Sequence, residues 1–174
     1  MSVYQQGGAL VLMPHEFDYA IATANLARPG LVVAEDSSDA GQVVIAIGWT
    51  VANIGDGTGA DSKKRGIAST STLDRDGNAQ TGKTVTIIPL ESGAKCYVAL
   101  YQSNTTITVG DALGVSATDA GTVDKITGWD SDTAANYYLN LINMFNLVGF
   151  ACEAKDENQG TTAWILTRLA RGLG

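Results

Sequence analysis

Short apolar runs of alternating pattern, each closed by a turn bearing Gly, Asp or Asn, most limit what this chain can fold into. Leu31–Ala34 (LVVA), Gln42–Trp49 (QVVIAIGW), Thr84–Pro89 (TVTIIP), Lys95–Gln102 (KCYVALYQ) and Thr162–Leu169 (TAWILTRL) carry the pattern most clearly. A period near two is the signature of half-buried strands. Ile67–Leu73, Ala112–Ser116, Gly121–Ile126 and Gly149–Ala154 read the same way. Between them lie EDSSDAG, DRDGN, ESGA, VGD, TDAG and KDENQG, whose residues form turns by local hydrogen bonding or by reaching positive φ. The spacing of Leu31–Ala34 and Gln42–Trp49 predicts an antiparallel pair. Phe17–Ala27 fits either a short Ala-rich helix or a strand with Tyr19, Ile21 and Thr23 on one face, and it stops at Arg28-Pro29-Gly30. Only Thr133–Leu147 has near-helical spacing, through Tyr138, Leu141, Ile142 and Phe145. The fold class is mainly β, a small barrel or sandwich with at most one or two short helices.

Composition sharpens this reading. The 174 residues include 20 Gly, 18 Thr and 23 Ala, enough apolar content for a real core. Charged residues make up 17% and the net charge is -7, so the basic footprint of a nucleic-acid binder is missing. At 45% hydrophobic the chain does not resemble charge-rich disorder. The first residues, MSVYQQGGALVLMPHEFDYA, have no basic segment followed by a sustained apolar one, and no run approaches a membrane span. Synthesis in the cytoplasm is expected, and with it free, buried thiols at Cys96 and Cys152.

No motif carries catalysis. Gly77–Thr84 spells G-x-x-x-x-G-K-T, but a phosphate loop needs a helix after it, and Val85–Pro89 predicts a strand. Asp74–Asn78 opens like a calcium loop, yet Ala79 holds the place of the required glycine. Asp36 with Asp39, and Asp130 with Asp132, read as solvated turns. His15 is the single histidine, and no nucleophile elbow is present to pair with it. The chain is therefore expected not to be an enzyme and to need no cofactor or metal. Lys63, Lys64 and Arg65 lie in a Gly-rich stretch (Asn53–Gly66) that reads first as a solubilising loop tip and second as a loop able to meet an acidic partner surface. Trp49, Trp129, Trp164, Tyr137 and Tyr138 suit core packing, interface anchoring or stacking on sugars.

The half from Thr84 to Leu169 resembles the head decoration, or capsid cement, proteins of tailed bacteriophages. The likeness runs through Val109-Gly110-Asp111-Ala112-Leu113 ahead of a hairpin, then Gly149, Ala151, Glu153 and Ala154 before an acidic turn and the apolar AWILTRL. It implies a β-barrel or β-tulip fold on the outside of an icosahedral head. There the protein would bind the major capsid protein and sister subunits, often as a homotrimer, and cement adjacent capsomers against internal DNA pressure by avidity. Expected capsid or subunit contacts are Tyr4, Phe17 and Tyr19 near an N-terminal arm, Lys63, Lys64 and Arg65, and Trp129, Tyr137 and Tyr138. The N-terminal strand pair with its loop (1–66) and a segment near 128–146 read as additions to a core at 67–174. A virion-surface carbohydrate-binding module is the alternative.

Overall fold

The computed structural model describes residues 4–6, 9–11, 17–50, 64–78, 80–101, 105–127, 134–156 and 163–170; for 4–6, 9–11, 64–65 and 134–139 it describes the backbone alone. The strands in chain order are β1 (Tyr4–Gln6), β2 (Ala9–Val11), β3 (Asp18–Ala22), β4 (Val32–Glu35), β5 (Gln42–Ile45) and β6 (Lys64–Ala68). There follow β7 (Lys83–Pro89), a 3-10 turn (Leu90–Ser92), β8 (Lys95–Ala99), β9 (Ala112–Val115), β10 (Val123–Lys125), helix α1 (Ala134–Asn146), β11 (Leu147–Ala151) and β12 (Trp164–Leu169). The fold is mainly β, with one α-helix among the described residues. Phe17–Ala27 resolves to a strand, because Asp18–Ala22 pairs with β7 antiparallel along its whole length and its end pairs with β5 in parallel.

Five strands close a barrel in the order β3-β5-β4-β6-β7. The remaining seven form a sheet ordered β1-β2-β8-β12-β11-β9-β10. That sheet also curls shut, since Val123 of β10 bridges Leu100 in parallel just past the end of β8, and Tyr101 N–H donates to Val123 C=O at 2.8 Å. The β8-β12-β11-β9-β10 circuit repeats the connectivity of the first barrel strand for strand. The β1–β2 hairpin attaches outside it, with Val11 opposite Cys96.

The match between the two halves extends to single hydrogen bonds. Thr23 N–H to Val43 C=O in the first barrel corresponds to Tyr101 N–H to Val123 C=O in the second. Ala46 to Val32 corresponds to Ile126 to Ala112, Asp36 to Gln42 corresponds to Ser116 to Thr122, and Ser69 to Thr86 corresponds to Cys152 to Leu166. The β4–β6 register slips where Val33 faces Gly66 and Ala34 faces Lys64. In β9–β11, Leu113 faces Gly149 and Gly114 faces Leu147, with the same slip. Both glycines are dictated by close approach. A Cβ on Gly66 would meet Ile88 Oand Ile87 Cγ2, and one on Gly149 would meet Arg168 O.

The sequence carries the mark of this duplication. Asp39-Ala40-Gly41-x-Val43 leading to Gly48-Trp49 recurs 80 positions later as Asp119-Ala120-Gly121-x-Val123 leading to Gly128-Trp129. Gly66-Ile67-Ala68 is matched by Gly149-Phe150-Ala151. The first barrel thus runs through Pro89, and a boundary at residue 66 falls inside β6. The stretches at Asn53–Gly66 and 128–146, read from sequence as separate additions, occupy the same β5–β6 and β10–β11 connection in the two halves. Lys64 and Arg65 belong to β6 rather than to a loop tip: Lys64 faces Ala34 of β4, and Arg65 lies at the register slip between Lys64 and Gly66.

Each half is filled by corresponding side chains. Ala20, Ala22, Val33, Val43, Ala68 and Val85, from all five strands, form one buried cluster. Their counterparts Val98, Leu100, Leu113, Val123, Ala151 and Ile165 are buried together in a second cluster. The second cluster also takes in Val32, Ala46, Ile67 and Ile88 of the first barrel, so the core runs on between the halves. At the end of α1 the Asn146 amide clamps the backbone of Trp49, accepting from its N–H at 2.6 Å and donating to its C=O at 3.0 Å. Phe145 lies against the Trp49 ring at 5.7 Å between centroids. Asn146→Ala leaves both part-buried Trp49 groups without this partner and is expected to cost about 2 kcal/mol, read as a melting temperature about 4–8 °C lower.

Candidate functional site

The feature that most distinguishes this molecule from a single barrel is the seam between its halves. The Asp119-Ala120-Gly121 turn of the second barrel enters the first. Gly121 C=O accepts from Val32 N–H at 2.7 Å and Gly121 N–H donates to Ala46 C=O at 2.7 Å. Gly121 has φ +78°, and a Cβ there would meet Ile45 Cγ2 at 2.6 Å and Leu31 Cδ2 at 3.1 Å. Only glycine satisfies both the positive φ and the approach. Gly48 N–H reaches Ser116 C=O at 3.1 Å, and Ala99 N–H reaches Gly30 C=O at 2.8 Å. Trp164 covers Gly30, donates from Nε1 to Pro29 C=O at 3.1 Å and carries the Arg28 guanidinium 5.6 Å from its ring centroid. Burial lowers the pKa of Arg28 and the nearby Asp119 charge opposes that. Trp164, a candidate sugar platform in the sequence, is thus engaged in the seam.

Apart from Ile47, between the seam residues Ala46 and Gly48, the exposed apolar side chains lie elsewhere. Tyr19 and Ile21 stand out from β3, Val109 from the turn before β9, Met144 and Phe145 from α1, and Phe150 from β11. Of the residues expected at an interface, Tyr19 is exposed, whereas Phe17 packs against the core. Tyr4 lies on β1, Lys64 and Arg65 on β6, and Tyr137 and Tyr138 on α1, by backbone alone. Lys63 and Trp129, like His15, Asp130 and Asp132, fall outside the described residues. Among the described side chains of this set, Tyr19 faces outward and Phe17 inward.

The titratable groups serve turns. Asp74 accepts from the N–H groups of Asp76 and Asn78 and from Gln80 Nε2, at 2.9, 2.8 and 3.0 Å. Gly77–Thr84 leads into β7, so the element that follows this loop is a strand and not the helix a phosphate loop needs. Asp36 accepts from Thr23 Oγ1 at 2.7 Å. Asp111 pairs with Lys125 at 2.7 Å and accepts from Thr108 N–H at 2.7 Å. A cleft of about 260 Å³ opens between the β9–β10 hairpin and α1, lined in part by Ser116, Asp124, Lys125, Asn143 and Asn146.

Hydrogen bonds hold three of these carboxylates below the ordinary aspartate range. The main donors are Thr23 for Asp36, Asn78 N–H for Asp74 and Lys125 for Asp111. A depressed folded pKa gives stability that is present above the unfolded value and lost as pH falls through the folded one. The denaturant midpoint is expected to drop between pH 5 and pH 2, and Asp111→Asn to shrink that drop. Cys96 supplies the opposite sign. Both cysteines are free; Cys96 is buried and its thiol is pushed up to about 12 by that burial, whereas Cys152 is half-buried. Stability from Cys96 is therefore present at neutral pH and lost as pH climbs from the ordinary thiol value of 9.0 toward 12. Alkylation of the native protein at neutral pH should label Cys152 alone, with Cys96 reacting only after unfolding.

A scan against models of known protein families finds no match, and a search among curated proteins finds no relative.

Proposed function

We propose that the chain is a structural virion protein of a tailed bacteriophage, a decoration protein that binds the outer face of the head and cements adjacent capsomers. It acts by binding, without an enzymatic step. Its partners are the major capsid protein and sister subunits. The observation that carries this reading is where the sequence likeness falls. Val109–Leu113 forms the turn into β9, and Gly149–Ala154 covers most of β11 and the turn after it. These are adjacent strands of one barrel, paired by the Leu113–Gly149 register. The apolar surface supports the same reading, since Tyr19, Ile21, Val109 and Phe150 project outward from barrels whose interiors are filled by aliphatic side chains. Many modest contacts repeated over a lattice give firm attachment without one dominant residue.

The test is to add purified protein to heads assembled without it. Saturable binding and an increase in the temperature at which heads release DNA are expected. Heads that neither bind the protein nor gain stability would contradict the proposal.

A further inference from the structure

The seam inside the chain joins two like units through unlike surfaces. The first barrel offers Pro29, Gly30, Leu31 and Ile45; the second offers Ala99, Gly121 and Trp164. Because each barrel has the same architecture, each also carries the half that the seam does not use. On the second barrel the counterparts of Pro29, Gly30, Leu31 and Ile45 are Val109, Gly110, Asp111 and Lys125. On the first, the counterparts of Ala99 and Gly121 are Ile21 and Gly41.

These unused halves look like contact surfaces. Ala99 is 0% exposed in the seam whereas Ile21 is 44% exposed, beside Tyr19 on the same strand face. Val109 is 68% exposed where Pro29 is half-buried. Gly41 repeats the conformation of Gly121, at φ +84°, but a Cβ on it would meet nothing within 4 Å. The charges change together. The turn of the first barrel holds Glu35, Asp36 and Asp39, while the turn of the second holds Asp119 alone. The facing surface has Lys125, joined to Asp111, in place of Ile45 and Leu31.

From this we infer that copies of the chain associate head to tail, with the Tyr19/Ile21/Gly41 face of one copy seated on the Val109/Gly110/Lys125 face of the next. The contact reuses the internal seam in a more polar form. A contact between unlike faces closes into a ring or continues as a filament. The inference does not depend on attachment to a capsid.

Sedimentation velocity of the full chain over a concentration series tests it. Wild type is expected to sediment as an oligomer, and Ile21→Asp and Val109→Asp each as the 18.1 kDa single chain. Each variant keeps one intact face, so an equal mixture of the two should give a one-to-one dimer and nothing larger. If Ile21→Asp lowers the melting temperature, Tyr19→Asp reads the same contact from a more exposed side chain. Wild type that remains a single chain throughout would overturn the inference, as would variants that keep the wild-type mass or a mixture that stays monomeric.

Discussion

Gly66→Ala and Gly149→Ala are each expected to destabilise the protein by about 3 kcal/mol or more, the upper range for overpacking a core. For a chain of this size that lowers the melting temperature by about 6–12 °C. The cause is the same at both sites. Each glycine sits at a register slip, on β6 or β11, where its Cβ would run into the main-chain oxygen of the neighbouring strand, Ile88 O or Arg168 O. A carbonyl fixed in a sheet cannot swing aside as a long side chain can. Gly77→Ala is the control: Gly77 has positive φ but open space around it, so only the backbone strain of about 1 kcal/mol applies. Similar large losses at Gly66 and Gly149, measured by thermal or urea unfolding, would report that the two barrels close by the same device.

Gly121→Ala and Gly41→Ala separate the seam from the turn. The two glycines occupy equivalent turns with φ of +78° and +84°, so both variants bear the left-handed strain of about 1 kcal/mol. Only Gly121 also meets Ile45 and Leu31, which adds about 2 kcal/mol of overpacking. Urea unfolding should therefore place Gly121→Ala well below Gly41→Ala. Equal losses would mean that Gly121 is not packed against Ile45 and Leu31.

Most strands were legible in the sequence because alternation survives wherever one face is buried. Thr84–Pro89 and Thr162–Leu169 lie within a residue or two of β7 and β12, and Thr133–Leu147 contains α1. Gln42–Trp49 overran β5, since Ala46–Trp49 leaves the ladder to meet the second barrel through Ala46 C=O and Gly48 N–H. Asn53–Gly66 reads as loop to its end because glycine-rich and basic residues hide the start of β6.

The duplication was present in the Asp-Ala-Gly to Gly-Trp phrase but masked by what each half must cover. Asp111, Lys125 and Arg168 stand where the first half has Leu31, Ile45 and Ile88; Leu31 and Ile88 are buried and Ile45 partly so, whereas Arg168 is exposed and Asp111 and Lys125 are half-buried. A hydrophobic pattern reports burial, so two copies of one fold that bury different faces read as unlike. The seam was illegible for a related reason. It is made largely by main-chain groups of Gly30, Val32, Ala46 and Gly121, whose partners no side-chain pattern names.

Electron cryo-microscopy of heads carrying the chain tests the capsid assignment most directly. The account predicts density for paired barrels on the outer surface, repeated with the lattice and touching more than one capsomer. Density confined to the interior or the tail, or outer density that contacts a single capsomer only, would contradict it.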